Sequence, residues 1–112
     1  PGRPAPSTRA GMSSPEELAA AAHSACFAMA LVLRLGERKA RAERLTVTAT
    51  VTLAEVDGVS TIVSSALRVG GRVPTVDAAG FQSAVDEAAA LCPVSRLFAG
   101  AKVTVHAEIE QV

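Results

Sequence analysis

The stretch SPEELAAAAHSACFAMALVLRL, residues 14–35, decides the fold of this chain. It opens with a strong helix start, because Ser14 can cap the helix, Pro15 suits the first helical position and Glu17 completes a capping box. Its middle, AAAAHSACFAMALVL, is apolar almost all round, which indicates burial on most faces. We predict a helix from Ser14 to about Lys39 that is packed inside the protein.

After this helix the apolar residues change from helical spacing to alternation. A run that alternates apolar residues with threonine predicts a strand, and Asp57-Gly58 is a hairpin turn signal that leads into a return strand. Gly70-Gly71 indicates a bulge or the fraying end of that strand. The predicted elements are a helix over 14–39, strands over 45–56 and 59–73, a second helix over 77–90, a short helical turn that starts at Cys92 and a last strand over 102–110.

A sheet of three strands is too small to enclose a helix that is apolar on most faces. We therefore predict an α+β fold in which an antiparallel sheet wraps around a long buried central helix. Either strands are missing from this chain or a second subunit supplies the covering surface, and we expect both. Residues 1–13, rich in proline and glycine, are predicted to be a mobile arm, and residues 14–112 a single domain.

Composition excludes several classes of protein. Lysine plus arginine equals aspartate plus glutamate at 11 each, and the aromatic residues are three Phe with no Trp or Tyr. The chain therefore lacks both the basic surface and the stacking platform of a nucleic-acid-binding protein. No signal peptide is recognisable, and residues 18–33 are too short and too weakly hydrophobic for a membrane span. We expect a soluble, cytoplasmic protein that does not contact membranes.

The chemistry that the residues could carry centres on the only two cysteines, Cys26 and Cys92. Composition alone favours the interpretation that both cysteines are small buried hydrophobic residues, which is how free cysteine usually behaves. However, Cys92 immediately precedes a helical turn that starts at a proline, where free backbone amides stabilise a thiolate. His23 and His106 could complete a zinc set with the cysteines, but the spacing forms no recognised ligand motif, so we expect no metal.

Two segments of the sequence resemble the signatures of the OsmC/Ohr family, the osmotically inducible and organic hydroperoxide resistance proteins. The first is SPEEL followed by AAAHSACFAMAL over residues 20–31, and the second is CPVSR over residues 92–96 followed by Ala99-Gly100. The resemblance covers nearly everything from Ser14 onward, and His23 is typical of the OsmC branch. Family members begin with N-terminal strands that are absent here, so we expect that something precedes Pro1 in the natural protein.

The resemblance implies roles for individual residues. Cys26 matches the peroxidatic cysteine, Cys92 matches the resolving cysteine, and Glu16 matches a glutamate that pairs with an arginine to poise the thiolate. Arg9 is the nearest candidate for that arginine, with Arg3 or an arginine in the missing N-terminal region as the alternatives. Side chains expected at the substrate are His23, Phe27, Met29 and Phe98.

The function that the resemblance implies is a thiol-dependent peroxidase that reduces organic hydroperoxides to alcohols in oxidative and osmotic stress defence. It would need no bound cofactor but an external dithiol reductant of the lipoyl type. Its working unit would be an intertwined homodimer. Glu16 and Cys26 lie about 15 Å apart along one helix, so we expect active sites shared between subunits. Two alternatives remain, a thiol redox sensor and a small-ligand-binding dimeric scaffold without turnover.

Overall fold

The computed structural model describes residues 14–110 and has an α+β architecture. A three-stranded sheet packs against the helices on one face. The predicted order of elements is confirmed. The elements are α1 (Pro15–Glu37), β1 (Arg44–Val56), β2 (Val59–Arg72), α2 (Ala78–Leu91), α3 (Pro93–Leu97) and β3 (Lys102–Ile109).

Helix α1 starts where its capping residues predict. The backbone N–H of Glu17 donates to Ser14 Oγ at 3.2 Å, and the backbone N–H of Ser14 donates to Glu17 Oε1 at 3.0 Å. Pro15 occupies the first turn, where its missing N–H costs nothing. The helix ends at Glu37, and Lys39 takes a left-handed φ of 57° that turns the chain toward β1.

Only one side of α1 is buried within this chain. His23, Phe27, Leu31 and Leu35, at four-residue spacing, form the buried stripe. On other faces Met29 is 69% exposed, so burial on most faces does not hold for the single chain. The reason is that the sheet, α2 and α3 all pack on the same side of the helix. Contrary to the sequence prediction, α1 is long enough and apolar enough to span a membrane. The core helix of a soluble protein can have the same length and composition.

The sheet is mixed: the prediction of an antiparallel sheet is confirmed for β1 and β2 and is wrong for β3. β1 and β2 form the predicted antiparallel hairpin, with Asp57 and Gly58 both at positive φ in the turn. β3 instead pairs with β2 in parallel, with Leu67 opposite Val105. The physical cause is the connection: α2 and α3 carry the chain back across the sheet before β3 begins, as a parallel pair requires.

The glycine pair does not form the predicted bulge. Gly70 and Gly71 pair regularly with β1, and the irregularity lies between Thr52 and Leu53, where the register skips Val63 on β2. Gly71 serves close packing instead, since a Cβ there would meet the backbone oxygen of Arg44 at 3.2 Å and the Phe81 ring at 3.5 Å. The end of the return strand therefore lies against the Phe81 side chain of α2.

The core lies between α1, α2 and the inner face of β2. Inward residues of β2 alternate as Ser65, Leu67 and Val69, and α2 presents a stripe with the spacing of an amphipathic helix. The buried residues of that stripe are Phe81, Ala84, Val85 and Ala88. This core holds the end of α2 against the middle of α1, which is where both cysteines lie.

Gly71→Val should destabilise the protein by about 1–3 kcal/mol, because its side chain has no space beside Leu45 and Phe81. Gly70→Val is the matched control, since nothing lies within 4 Å of a Cβ at Gly70. We expect Gly70→Val to change the free energy of unfolding little, or to raise it, as valine suits a strand. Urea unfolding of both variants checks this, and equal losses would contradict the packing described for Gly71.

Candidate thiol site

The two cysteine thiols come together in the folded chain. Cys26 lies in the middle of α1 and is partly exposed, whereas Cys92 lies between α2 and α3 and is fully buried. Both thiols are free, and Cys26 packs against the core cluster that contains Cys92, close enough for Cys92 to raise the pKa of the Cys26 thiol. The packing of the end of α2 against the middle of α1 thus brings Cys26 and Cys92 together, although they are distant in sequence.

The position of Cys92 follows from the proline after it. Pro93 disfavours helical backbone at the preceding residue, and Cys92 accordingly has an extended ψ of 117°. Its N–H still donates to the Ala88 carbonyl at 2.8 Å, so Cys92 closes α2, and its carbonyl accepts from the Arg96 N–H at 3.2 Å, so it opens α3. The break leaves the thiol facing inward toward α1.

The Cys26 thiol experiences opposing influences. Burial raises its pKa above the ordinary value, the backbone N–H of Val94 lowers it by hydrogen bonding, and Cys92 raises it through a hydrogen bond and charge. Val94 lies in the first turn of α3, where backbone N–H groups have no helical partner. Among the described residues, the Val94 N–H is therefore the group that favours the thiolate.

His23 is fully buried one turn before Cys26 on α1. Its Nδ1 lies 2.6 Å from Ser65 Oγ on β2, and its Nε2 lies 2.7 Å from Ser95 Oγ on α3. The ring also packs against Phe98, with the ring centroids 5.1 Å apart. Burial lowers the pKa of His23, so the neutral ring is favoured.

Sequence reasoning missed Ser65 and Ser95 as partners of His23. Ser65 lies on the same buried face of β2 as Leu67 and Val69, because the three residues are two positions apart along the strand. A polar residue at a core position needs a hydrogen-bonding partner, so this alternation was the available signal. Ser95 carries no comparable signal, since a serine after a helix start is ordinary.

The remaining predicted site residues lie in different surroundings. Phe27 is fully buried in the core, Met29 lies on the exposed side of α1, and Phe98 is buried beside His23. Glu16 lies in the first turn of α1, and because α1 is continuous it is about 15 Å along the axis from Cys26. Arg9, like Arg3, lies outside the described residues.

An open, mostly apolar cleft is lined in part by Phe98. Its volume is about 400 Å³, and it lies between the start of α1, the start of β2 and the segment after α3. The apolar lining includes Ala19, Ile62, Leu97, Phe98 and Ala101. Within residues 14–110, no group of three or more His, Cys, Asp or Glu side chains is placed to hold a metal ion.

Comparison with known proteins matches both the sequence and the fold. The profile of the OsmC-like protein family matches residues 9–108. The peroxiredoxins OsmC of Escherichia coli and Shigella flexneri are each 44% identical to the chain over 84 residues, which is 75% of this chain and 59% of each relative. The chain thus matches less than two thirds of the length of these relatives.

Solved structures of similar fold include an organic hydroperoxide resistance protein from Elizabethkingia anophelis, with 30% identity and a TM-score of 0.68 over 87% of this chain and 70% of that one. An OsmC-like protein from Mycoplasma pneumoniae has a TM-score of 0.82 over 97% of this chain and 79% of that one. Its identity of 16% supports the fold alone.

The buried His23 should make stability depend on pH. Its folded-state pKa lies below the ordinary value of 6.5, so on acidification the unfolded chain takes up the proton first. The stabilisation is complete above about pH 6.5 and is lost as pH falls through the folded-state pKa. Urea unfolding between about pH 7 and 5 should therefore show a steeper loss for wild type than for His23→Gln.

His106→Gln is the control, because it removes an exposed histidine on β3. This variant should keep the wild-type pH slope. Parallel pH profiles for wild type and His23→Gln would contradict a neutral, buried His23.

Proposed function

The chain belongs to the OsmC-like protein family, and we propose that it reduces organic hydroperoxides with Cys26 as the attacking thiolate and Cys92 as the resolving thiol. The observation that carries the proposal is the proximity of the two cysteines, since Cys26 packs against the core cluster that contains Cys92 and Cys92 raises the pKa of the Cys26 thiol. Related proteins named peroxiredoxin OsmC and organic hydroperoxide resistance protein support the same chemistry. The role would lie in defence against peroxides during oxidative and osmotic stress.

The proposed reaction runs in three steps. The Cys26 thiolate attacks one peroxide oxygen, the O–O bond breaks, and the alkoxide leaves as an alcohol after taking a proton, so Cys26 becomes a sulfenic acid. The Cys92 sulfur then attacks the Cys26 sulfur, water leaves, and a disulfide forms. An external dithiol, which we propose to be of the lipoyl type, reduces the disulfide by two electrons through thiol–disulfide exchange.

The assignment of roles rests on accessibility. Cys26 is partly exposed, so a peroxide can approach its sulfur, whereas Cys92 is fully buried. Cys92 lies at the junction of α2 and α3, where the helical hydrogen bonding changes and a small shift is possible. The order of events that follows is attack by Cys26 and resolution by Cys92.

The thiolate needs more stabilisation than the described residues supply. Burial and Cys92 raise the pKa of Cys26, and the Val94 N–H opposes them. A nearby guanidinium would lower that pKa further. We propose that Arg9, Arg3 or an arginine N-terminal to this chain supplies it, held by the Glu16 carboxylate.

We propose the substrate class from an apolar cleft that is lined by Phe98, which packs against His23 one turn before Cys26 on α1. This cleft would accept the alkyl part of a hydroperoxide, and its burial would add binding energy that hydrogen peroxide cannot gain. His23 and Phe27 are fully buried, so they would contribute to substrate binding only by shaping the protein surface around the site.

The alternatives predict different fates for the thiols. A redox sensor would form the same disulfide once and would not turn over, whereas a binding scaffold would leave both thiols inert. A coupled assay with an alkyl hydroperoxide and a lipoyl-type dithiol separates all three. Continuous turnover supports the peroxidase.

Cys26→Ser should abolish peroxidase turnover, because it removes the attacking thiolate. Cys92→Ser should allow one equivalent of hydroperoxide to be consumed and should trap a sulfenic acid on Cys26, detectable with a dimedone-type reagent and mass spectrometry. If Cys92→Ser alone prevented the first oxidation, the roles of the two cysteines would be reversed.

We further propose that the working unit is a homodimer formed through the uncovered side of α1. Exposed apolar residues recur there at alternating steps of four and three, the spacing of a helix–helix seam. Small alanines in this seam allow close approach of two helices. The seam consists of Leu18, Ala22, Ala25, Met29 and Val32.

Sharing of the site between subunits is tested by complementation. Glu16 lies about 15 Å from Cys26 along its own helix, so the Glu16 that serves a given Cys26 would come from the second subunit. Mixing inactive Glu16→Gln and Cys26→Ser chains should restore part of the turnover, since one heterodimer site is intact. Absence of any recovery, or a fully active monomer in sedimentation, would contradict a shared site.

A further inference from the structure

We propose that His23 is a positioning residue that anchors α3 to the sheet and so keeps the Val94 N–H directed at the Cys26 sulfur. The proposal deepens the proposed function, because it concerns the reactivity of the same thiol. It assigns His23 neither to the substrate nor to proton transfer. The bridge from Ser65 through His23 to Ser95 carries it.

Helix α3 cannot hold its own position. It has five residues, none of them buried, and no side chain caps its N-terminus. A helix of this length is unstable without tertiary contacts. The hydrogen bond between Ser95 Oγ and His23 Nε2 at 2.7 Å ties α3 directly to α1. Phe98, which follows α3, packs against the same imidazole ring.

The other end of the imidazole is fixed to the sheet. Ser65 Oγ lies 2.6 Å from His23 Nδ1, and both residues are fully buried. A neutral ring donates from one nitrogen and accepts at the other, and a hydroxyl can match either role. Both nitrogens are therefore satisfied, and the ring is held between β2 and α3 with no free direction in which to turn.

Ser95, which hydrogen-bonds His23, is adjacent in sequence to the residue that affects the Cys26 thiol. Ser95 directly follows Val94, whose backbone N–H lowers the pKa of the Cys26 thiol, and α3 packs against α1, which carries Cys26. On this proposal, freeing Ser95 lets α3 shift and moves the Val94 N–H away from the Cys26 thiol. The same anchor would hold Ser95 still while Cys92, on the far side of Pro93, moves to reach the oxidised sulfur.

A direct chemical role fits the geometry less well. His23 is fully buried and both ring nitrogens are occupied, so it cannot offer a nitrogen to a peroxide without breaking the bridge. The two roles make opposite predictions for Ser95. If His23 acts on substrate, then Ser95→Ala should not alter the Cys26 thiol. If His23 acts through α3, then Ser95→Ala should behave like a His23 variant.

The test measures the Cys26 thiol without peroxide. In a Cys92→Ser background Cys26 is the single thiol, and its alkylation by iodoacetamide as a function of pH gives its pKa directly. Ser95→Ala and His23→Leu should raise that pKa and slow alkylation about three- to ten-fold at a fixed pH below it, the effect of one hydrogen bond. Ser95→Thr keeps a hydroxyl and should restore the background value. Ser83→Ala, an exposed serine on α2, is the control.

Each outcome decides the proposal. An unchanged Cys26 pKa in Ser95→Ala, with circular dichroism and thermal unfolding showing a folded protein, would overturn it. Should His23→Leu fail to fold, Ser95→Ala and its threonine rescue still give the answer. A raised pKa in Ser95→Ala, in a chain whose wild type shows no peroxidase turnover, would uphold the anchor and contradict the proposed function instead.

Discussion

The thiol site depends on the interruption of a helix by Pro93. Without it, α2 would continue past Cys92, and the carbonyls of that turn would use the N–H groups now free at the start of α3. The interruption turns Cys92 inward toward α1 and leaves the Val94 N–H available to the Cys26 sulfur. One backbone constraint thus places both the second thiol and the hydrogen bond that favours the first thiolate.

Much of the fold could be predicted from the sequence, because local signals agree with each other. The capping box fixes the start of α1, and Asp57-Gly58 fixes the hairpin. The direction of β3 could not be predicted, since alternation identifies a buried face but says nothing about the strand with which it pairs. Gly71 was misread for a related reason, as its close contact with Phe81 exists only after α2 packs on the sheet. The single chain buries only one side of α1, and composition cannot tell which faces the same chain covers and which a second subunit would cover.

The cysteines of the site could be identified from sequence, but their surroundings could not. Resemblance picked out Cys26 and Cys92, and the fold brings them into the same core. The bridge through His23 joins residues from three elements, and no spacing along the chain connects Ser65 with Ser95. Glu16 remains a prediction, because its distance from Cys26 along α1 requires a second chain or the region before Ser14 to complete the site.

The most direct test of this account is a disulfide map of the wild-type protein after one equivalent of an alkyl hydroperoxide. Mixing isotopically light and heavy chains beforehand distinguishes bonds within a chain from bonds between chains. The account predicts a Cys26–Cys92 disulfide within one chain, since the two cysteines pack in the same core of the reduced protein and a small shift of Cys92 brings the sulfurs together. Cys26 oxidised to a sulfinic acid, or joined to Cys26 of another chain while Cys92 stays a free thiol, would contradict it.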